Sequence, residues 1–197
     1  EIEGRFFAPL EFVTAGLRGT MCTGLHNMNI HVFRHATQAF AEVILEEGPQ
    51  AAARGVAVCY DCRNHSQEFA RETACVMAGN GIPVRIFESL RPTPELSFAV
   101  REYGCIAGVN VTAPHASAVA KKMAELDLFT SIRRMDYDEA VKAGIITVMG
   151  SETDEKFLAQ VMGQAIDREA VARVAGSFKM VYTPFHGTGY LLIPEAL

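Results

Sequence analysis

Between Gly55 and Thr112 short apolar runs and amphipathic segments alternate, and that alternation constrains the fold more than any other feature of the chain. Gly55-Val56-Ala57-Val58-Cys59-Tyr60 reads as a buried strand. Asn64 or Ser66 can then cap a helix that runs to Asn80, where Gly81 ends it. Ile82 to Phe87 alternates apolar and polar residues as a second strand, with Pro83 near an edge or at the strand's start. Thr93-Pro94-Glu95 supplies an N-cap, a proline at the first helical position and a first-turn acid, opening a helix to Tyr103 that Gly104 closes. Cys105 to Thr112 is a third strand. Strand, helix, strand, helix, strand within about sixty residues calls for parallel strands joined by right-handed crossovers. The expected architecture is a layered α/β/α domain on a mixed, partly parallel sheet.

The flanks extend this pattern. Val32, Ala36, Phe40, Val43 and Ile44 recur at helical spacing from Asn29 to Glu47, and Gly48-Pro49 stops them. Residues 6–29 show little periodicity and read as loop with short strands. A helix is expected from Ser117 to Leu126, then an apolar run Ile145 to Met149, then the linker-like Gly150-Ser151-Glu152-Thr153-Asp154. A helical segment from Glu155 to Val174 leads to a buried-type strand, Phe178 to Tyr182, ending in Thr183-Pro184-Phe185-His186-Gly187-Thr188-Gly189. The division expected is residues 1–150 as one domain and 151–197 as the opening of a second, similar one. The first and last residues read as cut from a longer protein.

Charge and composition exclude several classes. Eighteen basic against twenty-three acidic side chains leave a net charge of −5, so there is no global positive field to hold nucleic acid. No apolar run reaches the roughly 18 to 20 residues of a membrane helix, and Glu1-Ile2-Glu3-Gly4-Arg5 lacks the order of a secretory signal, so a cytoplasmic protein without membrane contact is expected. Five cysteines, an odd number in a chain long enough to bury a core, are expected to stay reduced.

Candidate chemistry is sparse and must be weighed motif by motif. Cys59-x-x-Cys62 has redox spacing, but Cys59 lies inside a strand, several residues before the helix that would lower its pKa, so a structural or incidental pair is expected. The other cysteines and the six histidines form no zinc spacing. Gly187-Thr188-Gly189 follows a strand but has Leu192 where a dinucleotide loop has its third glycine, and a tight turn explains it as well. Lys121-Lys122 and Arg133-Arg134 read as solvated faces. Thr14-Ala15-Gly16-Leu17-Arg18-Gly19 is more telling, because two glycines flank an arginine in an acidic chain. Glycines let a backbone approach an oxyanion, and a guanidinium makes paired, charge-assisted hydrogen bonds to phosphate.

Thr14 to Gly19, Met28-Asn29, Thr37-Gln38, Tyr60-Asp61-x-Arg63, Leu90 to Arg101 and Ala107 to Ala113, read in order, resemble the first domain of the phosphoglucomutase and phosphomannomutase family, the α-D-phosphohexomutases. Tyr182 to Gly189 resembles the opening strand and loop of that family's second domain. The resemblance implies four domains around one cleft, magnesium, and transfer of a phosphoryl group between the 1- and 6-positions of a hexose. It implies a phosphoserine enzyme and glucose 1,6-bisphosphate as intermediate. Arg18 then maps onto the phosphate-facing arginine, Thr14 and Gly16 onto its loop, and Thr112 onto the threonine before the phosphoserine. Arg63 and His186 fall at strand ends facing the expected crevice.

The carrier motif of the family reads Thr-Ala-Ser-His-Asn-Pro, whereas this chain reads Thr112-Ala113-Pro114-His115-Ala116-Ser117. Either proline replaces the serine, or a loop of about twenty residues is missing between Ala113 and Pro114, leaving a short strand-to-helix join of ordinary length. Loss of the Asn-Pro, the Asn-Gly and the loop lysine together favours the missing loop. The family's three magnesium aspartates and its sugar-selecting domains have no counterpart here, so ligands and partners are expected from further segments of the same protein. The implied activity is interconversion of glucose 1-phosphate and glucose 6-phosphate, with this stretch alone inactive. The alternatives are a mannomutase or pentomutase of the same family, or a non-catalytic descendant serving as a binding or regulatory module.

Overall fold

The computed structural model describes residues 1–10, 12–13, 16–110 and 116–197. Helix α1 (Ile2–Phe6) precedes a hairpin of two short antiparallel strands, β1 (Phe12–Val13) and β2 (Gly16–Leu17). Helices α2 (Ile30–Glu46) and α3 (Pro49–Ala53) lead to β3 (Val56–Cys59). There follow α4 (Ser66–Gly79), β4 (Val84–Phe87), α5 (Thr93–Glu102), β5 (Ala107–Asn110), α6 (Ala116–Glu125), α7 (Tyr137–Lys142), β6 (Ile146–Met149) and α8 (Ser151–Met162). Two short helices, α9 (Arg168–Val174) and α10 (Leu192–Ala196), close the chain.

The four longer strands form one sheet in the order β5-β3-β4-β6, parallel throughout, and the antiparallel pairing expected of a mixed sheet is confined to the β1–β2 hairpin. Alternation along the strands sorts the core. Val56, Val58, Val84, Ile86, Val109 and Ile146 join Phe40, Phe69 and Val119 on the face covered by α2, α4, α6 and α7. Ala57, Cys59, Phe87 and Met149 face Leu96 and Ala99 of α5 on the other. All four residues of β3 are buried, as a central parallel strand covered on both faces requires. Helix α8 extends the second layer, with Phe157 against Phe98 of α5 at 5.6 Å between ring centroids.

Element ends depart from expectation for local reasons. Asn29 caps α2, accepting from the N–H groups of His31 and Val32 at 3.1 Å. Helix α2 ends at Glu46, just before Gly48-Pro49 as expected, and Pro49 then opens α3 from its first turn. Ser66 does not cap α4; its hydroxyl serves Asp61, and His65 takes the cap position with a left-handed φ of 63°. Thr93 lies one residue inside α5, with Pro92 at the cap, and its hydroxyl accepts from Asn110.

The stretch 150–154, linker-like by composition, is the start of α8, and its Thr153 and Asp154 are buried. Asp154 takes two hydrogen bonds from the buried Arg91 guanidinium, at 2.7 Å each. The helical segment expected over 155–174 is two helices, separated after Met162 by Gly163. The strand expected over Phe178 to Tyr182 does not form. Phe178, Met180 and Val181 are exposed, because no described strand lies beside them to complete the ladder. Arg133 and Arg134 are not merely solvated: Arg134 holds Glu72 of α4 with two hydrogen bonds, and Arg133 reaches Glu42 of α2.

Candidate functional site

The sheet order creates its own crevice. From the C-terminal ends of β3 and β4 the chain departs to opposite faces, into α4 and α5 respectively, and ligands of open α/β sheets bind at such a divergence. A cleft of about 670 Å³ opens beside the β3–α4 loop. Its walls include Arg18, Cys62, Arg63, Ser66, Phe69 and His186, drawn from the first loop, the β3–α4 junction and the turn near the C-terminus.

Each basic group reaches this cleft by its own device. Leu17 is buried with Leu10, Val32 and Ala36, which anchors β2 and leaves the next residue, Arg18, exposed over the opening. Gly19 lets the loop close down, since a Cβ there would stand 2.9 Å from Leu10 Cδ1 and 3.4 Å from the Met28 amide nitrogen. Arg18 has no ion-pair partner among the described residues. Arg63 is oriented instead by Asp61: its Nε donates to both carboxylate oxygens at 3.0 and 2.8 Å, and its backbone N–H donates to the first. Burial pushes the Asp61 carboxyl up, but the hydrogen bonds from Arg63 and Ser66 outweigh it and hold the group below the usual carboxylate range. Asp61 is therefore a fixed anion that aims Arg63 and leaves its terminal N–H groups free for a ligand.

His186 lies at the third position of a turn closed by the Gly187 N–H on the Pro184 carbonyl at 2.8 Å, with φ of 56°. That position with positive φ normally carries Gly or Asn, so histidine there holds local strain of a kind that clusters at functional sites. Its carbonyl accepts from the Cys62 thiol at 2.9 Å, fastening the turn to the β3–α4 loop. The N-terminal turn of α4 opens on the same cleft through Ser66 and has no side-chain cap, so its N–H groups and helix dipole add to the positive potential.

Sequence reasoning brought Arg18, Arg63 and His186 forward separately, and the structure unites them in one cleft. Gly16 pairs with Val13 in the hairpin behind Arg18. Thr14, Thr112 and the Ala113–Pro114 junction lie outside the described residues. Sequence spacing gives Cys62 only as half of an incidental pair. The two thiols differ in kind: Cys62 is exposed at the cleft, whereas burial first, then Asp61 and Glu95, push the Cys59 thiol up to about 12. The role of Asp61 was missed as well, although its signal was present in the Asp-x-Arg spacing ahead of a helix.

Residues 9–123 match the family described as phosphoglucomutase/phosphomannomutase, alpha/beta/alpha domain I. The chain belongs to this family. It is 31% identical to a probable phosphoribomutase of Schizosaccharomyces pombe, over 94% of this chain and 35% of that protein. It is 27% identical to a phosphoglucomutase of Staphylococcus saprophyticus, over 98% of this chain and 37% of that protein. The fold is also that of a putative phosphomannomutase from Thermus thermophilus, at a TM-score of 0.61 and 23% identity over 84% of this chain and 38% of that one. The chain thus spans little more than a third of the relatives it matches. The Staphylococcus alignment runs over 215 residues, more than the 197 of the chain, so the relative carries residues within the matched region that have no counterpart here.

Among the described residues no group of three or more His, Cys, Asp or Glu is placed to hold a metal ion. These residues by themselves do not form the magnesium site that the family implies. No helix among them is long and apolar enough to cross a membrane.

Proposed function

We propose that this chain forms the phosphate-gripping wall of a phosphosugar mutase, comprising the first domain and the opening of the second. The observation that carries the reading is the convergence of Arg18, Arg63 and His186 on one cleft from three separate stretches of sequence. A cleft of about 670 Å³ lies in the range of small-molecule sites and accommodates a phosphorylated sugar.

Phosphoryl transfer depends on positioning and on neutralising charge that develops on the transferred group. Arg18, without a carboxylate of its own, offers a guanidinium to phosphate oxygens. Arg63 adds a second one whose aim is set by Asp61. His186 closes the cleft from the second segment. In the proposed cycle a phosphoserine gives its phosphoryl group to the free hydroxyl of a sugar monophosphate, forming a bisphosphate and a serine hydroxyl. The sugar's other phosphoryl group then returns to the serine. The carrier belongs to the loop expected between Ala113 and Pro114, and Thr14, Gly16 and Thr112 shape the surrounding phosphate loops. We assign glucose 1-phosphate and glucose 6-phosphate as the substrate pair, with magnesium and glucose 1,6-bisphosphate as the remaining requirements. The relatives include a phosphoglucomutase and a probable phosphoribomutase, and the family description includes phosphomannomutases, which keeps pentose phosphates and mannose phosphates as the neighbouring choices.

A coupled assay of the complete gene product with glucose 1-phosphate tests the reading. Turnover is expected, and Arg18→Gln should lower kcat/KM by about 100-fold, the scale for removing one donor from a developing anion. No turnover with any sugar phosphate, or an unchanged rate in Arg18→Gln, would overturn it.

A further inference from the structure

Strand β4 carries a charge where a central parallel strand should not. Its neighbours in sequence, Val84, Ile86 and Phe87, are buried, and across the sheet Arg85 stands beside Ala57 of β3 and Thr147 of β6. Interior positions of such strands are ordinarily apolar. The Arg85 guanidinium is half-buried over the Tyr103 ring, 4.5 Å from its centroid, and has no carboxylate partner among the described residues.

A second guanidinium meets it at the N-terminal end of the sheet, opposite the phosphate cleft. Arg54 and Arg85 line one pocket of about 290 Å³ with Pro83, Tyr103, Gly104 and Cys105. Arg54 is fixed there by donating from Nε to the Gly104 carbonyl at 2.9 Å and from one terminal nitrogen to the Cys105 carbonyl at 3.1 Å. Its other terminal nitrogen remains free. Burial pushes the Cys105 thiol up, against the opposing pull of the Arg85 and Arg54 charges. Glu102 and Glu152 are both engaged by Lys156.

Arg85 is half-buried and Arg54 exposed, and neither has a carboxylate partner among the described residues, which leaves two guanidinium groups open to an anion at this pocket. We propose that the Arg54–Arg85 pocket is a second anion site, distinct from the Arg18 cleft, that takes the phosphate group of a small metabolite. A planar carboxylate is satisfied by one guanidinium fork, whereas a tetrahedral oxyanion presents oxygens to two forks arriving from different elements. The pocket holds several water volumes, each about 30 Å³, which leaves room for a phosphate and a small organic group beside it.

The test is amide NMR of the full chain titrated with inorganic phosphate, against chloride at equal ionic strength and against acetate. Saturable shifts at Gly104 and Cys105 with phosphate alone, weakened at least tenfold by Arg85→Met, are expected. Arg85→Lys, which keeps the charge but not the fork, should recover part of the affinity. Arg18→Met should leave these shifts in place while removing those at Gly19 and Cys62, so this site and the cleft stand or fall separately. Absence of saturable shifts at Gly104 and Cys105, equal shifts with acetate, or an Arg85→Met variant that stays folded and titrates like the wild type would overturn the proposal.

Discussion

Arg18 and Arg63 serve one cleft with different physics. Arg18 is held by its neighbours' packing and left unpaired, while Arg63 is pre-aimed by Asp61. Asp61→Asn should keep the fold but loosen Arg63, weakening sugar-phosphate binding by about tenfold, roughly one charge-assisted hydrogen bond; calorimetry with glucose 6-phosphate reads this. His186→Asn tolerates the left-handed backbone and should lose affinity without losing thermal stability. A structural role for the imidazole would lower the melting temperature instead. Away from the cleft, Glu72 receives Arg34 and Arg134 together. Burial raises its carboxyl, but the two guanidinium partners prevail and hold it at about 2. A carboxyl lowered from 4.5 stabilises the fold above that pH and loses its contribution as pH falls toward 2. Glu72→Gln should therefore cost about 2 kcal/mol at pH 7 and little at pH 2, as measured by denaturant unfolding. At this scale the sequence was informative where a motif carried geometry, as in Gly16-Leu17-Arg18-Gly19. It was silent where a partner lay far along the chain, as with Glu72 and Arg134.

The junction of α5 and α8 is where element-level reading failed. Gly150 to Asp154 has the composition of a linker, yet Thr153 donates or accepts at the Tyr103 hydroxyl at 2.8 Å, and Asp154 pairs with Arg91 inside the molecule. Neither contact has a local signature, because both partners lie more than one element away. Asp154 makes the two short hydrogen bonds to Arg91, while Glu88 and Glu95 stand 3.7 Å from the same guanidinium, so Asp154→Ala should destabilise by about 3 kcal/mol and loosen α8; hydrogen exchange on α8 amides checks this. Glu95, fully buried beside the same pair, has neither carboxyl oxygen hydrogen-bonded. Burial, then the Asp154 carboxylate, push it up to about 8 against the pull of Arg91. A carboxyl raised in the folded state binds its proton more tightly than in the unfolded chain. Stability should thus fall as pH rises from 4.5 to about 8, and Glu95→Gln should flatten that part of the profile. The alternating strands and helices between Gly55 and Asn110 were legible, because period and turn chemistry agree there. The run Phe178 to Tyr182 has strand composition but no described neighbour, and composition cannot supply one.

At the scale of the whole molecule, Ile166, Val171, Phe178, Val181 and Phe185 stand exposed, which is unusual for side chains of this size. The chain covers little more than a third of the length of these relatives. Peptide mapping across Ala113 and Pro114 in the native protein decides between the two readings of the carrier position. Additional residues containing a Ser-His pair are predicted there; a direct Ala113–Pro114 bond would favour the non-catalytic descendant. The cleft at Arg18 was only partly legible, since its three basic residues were visible one by one while their convergence depends on the sheet order and on the left-handed turn at His186. The most direct measurement is a titration of the chain with glucose 6-phosphate, followed at the amides of Gly19, Cys62, Arg63 and His186. Saturable shifts at all four, absent with glucose and lost in Arg18→Met, are predicted; shifts that glucose reproduces, or none at these positions, would contradict a phosphosugar cleft.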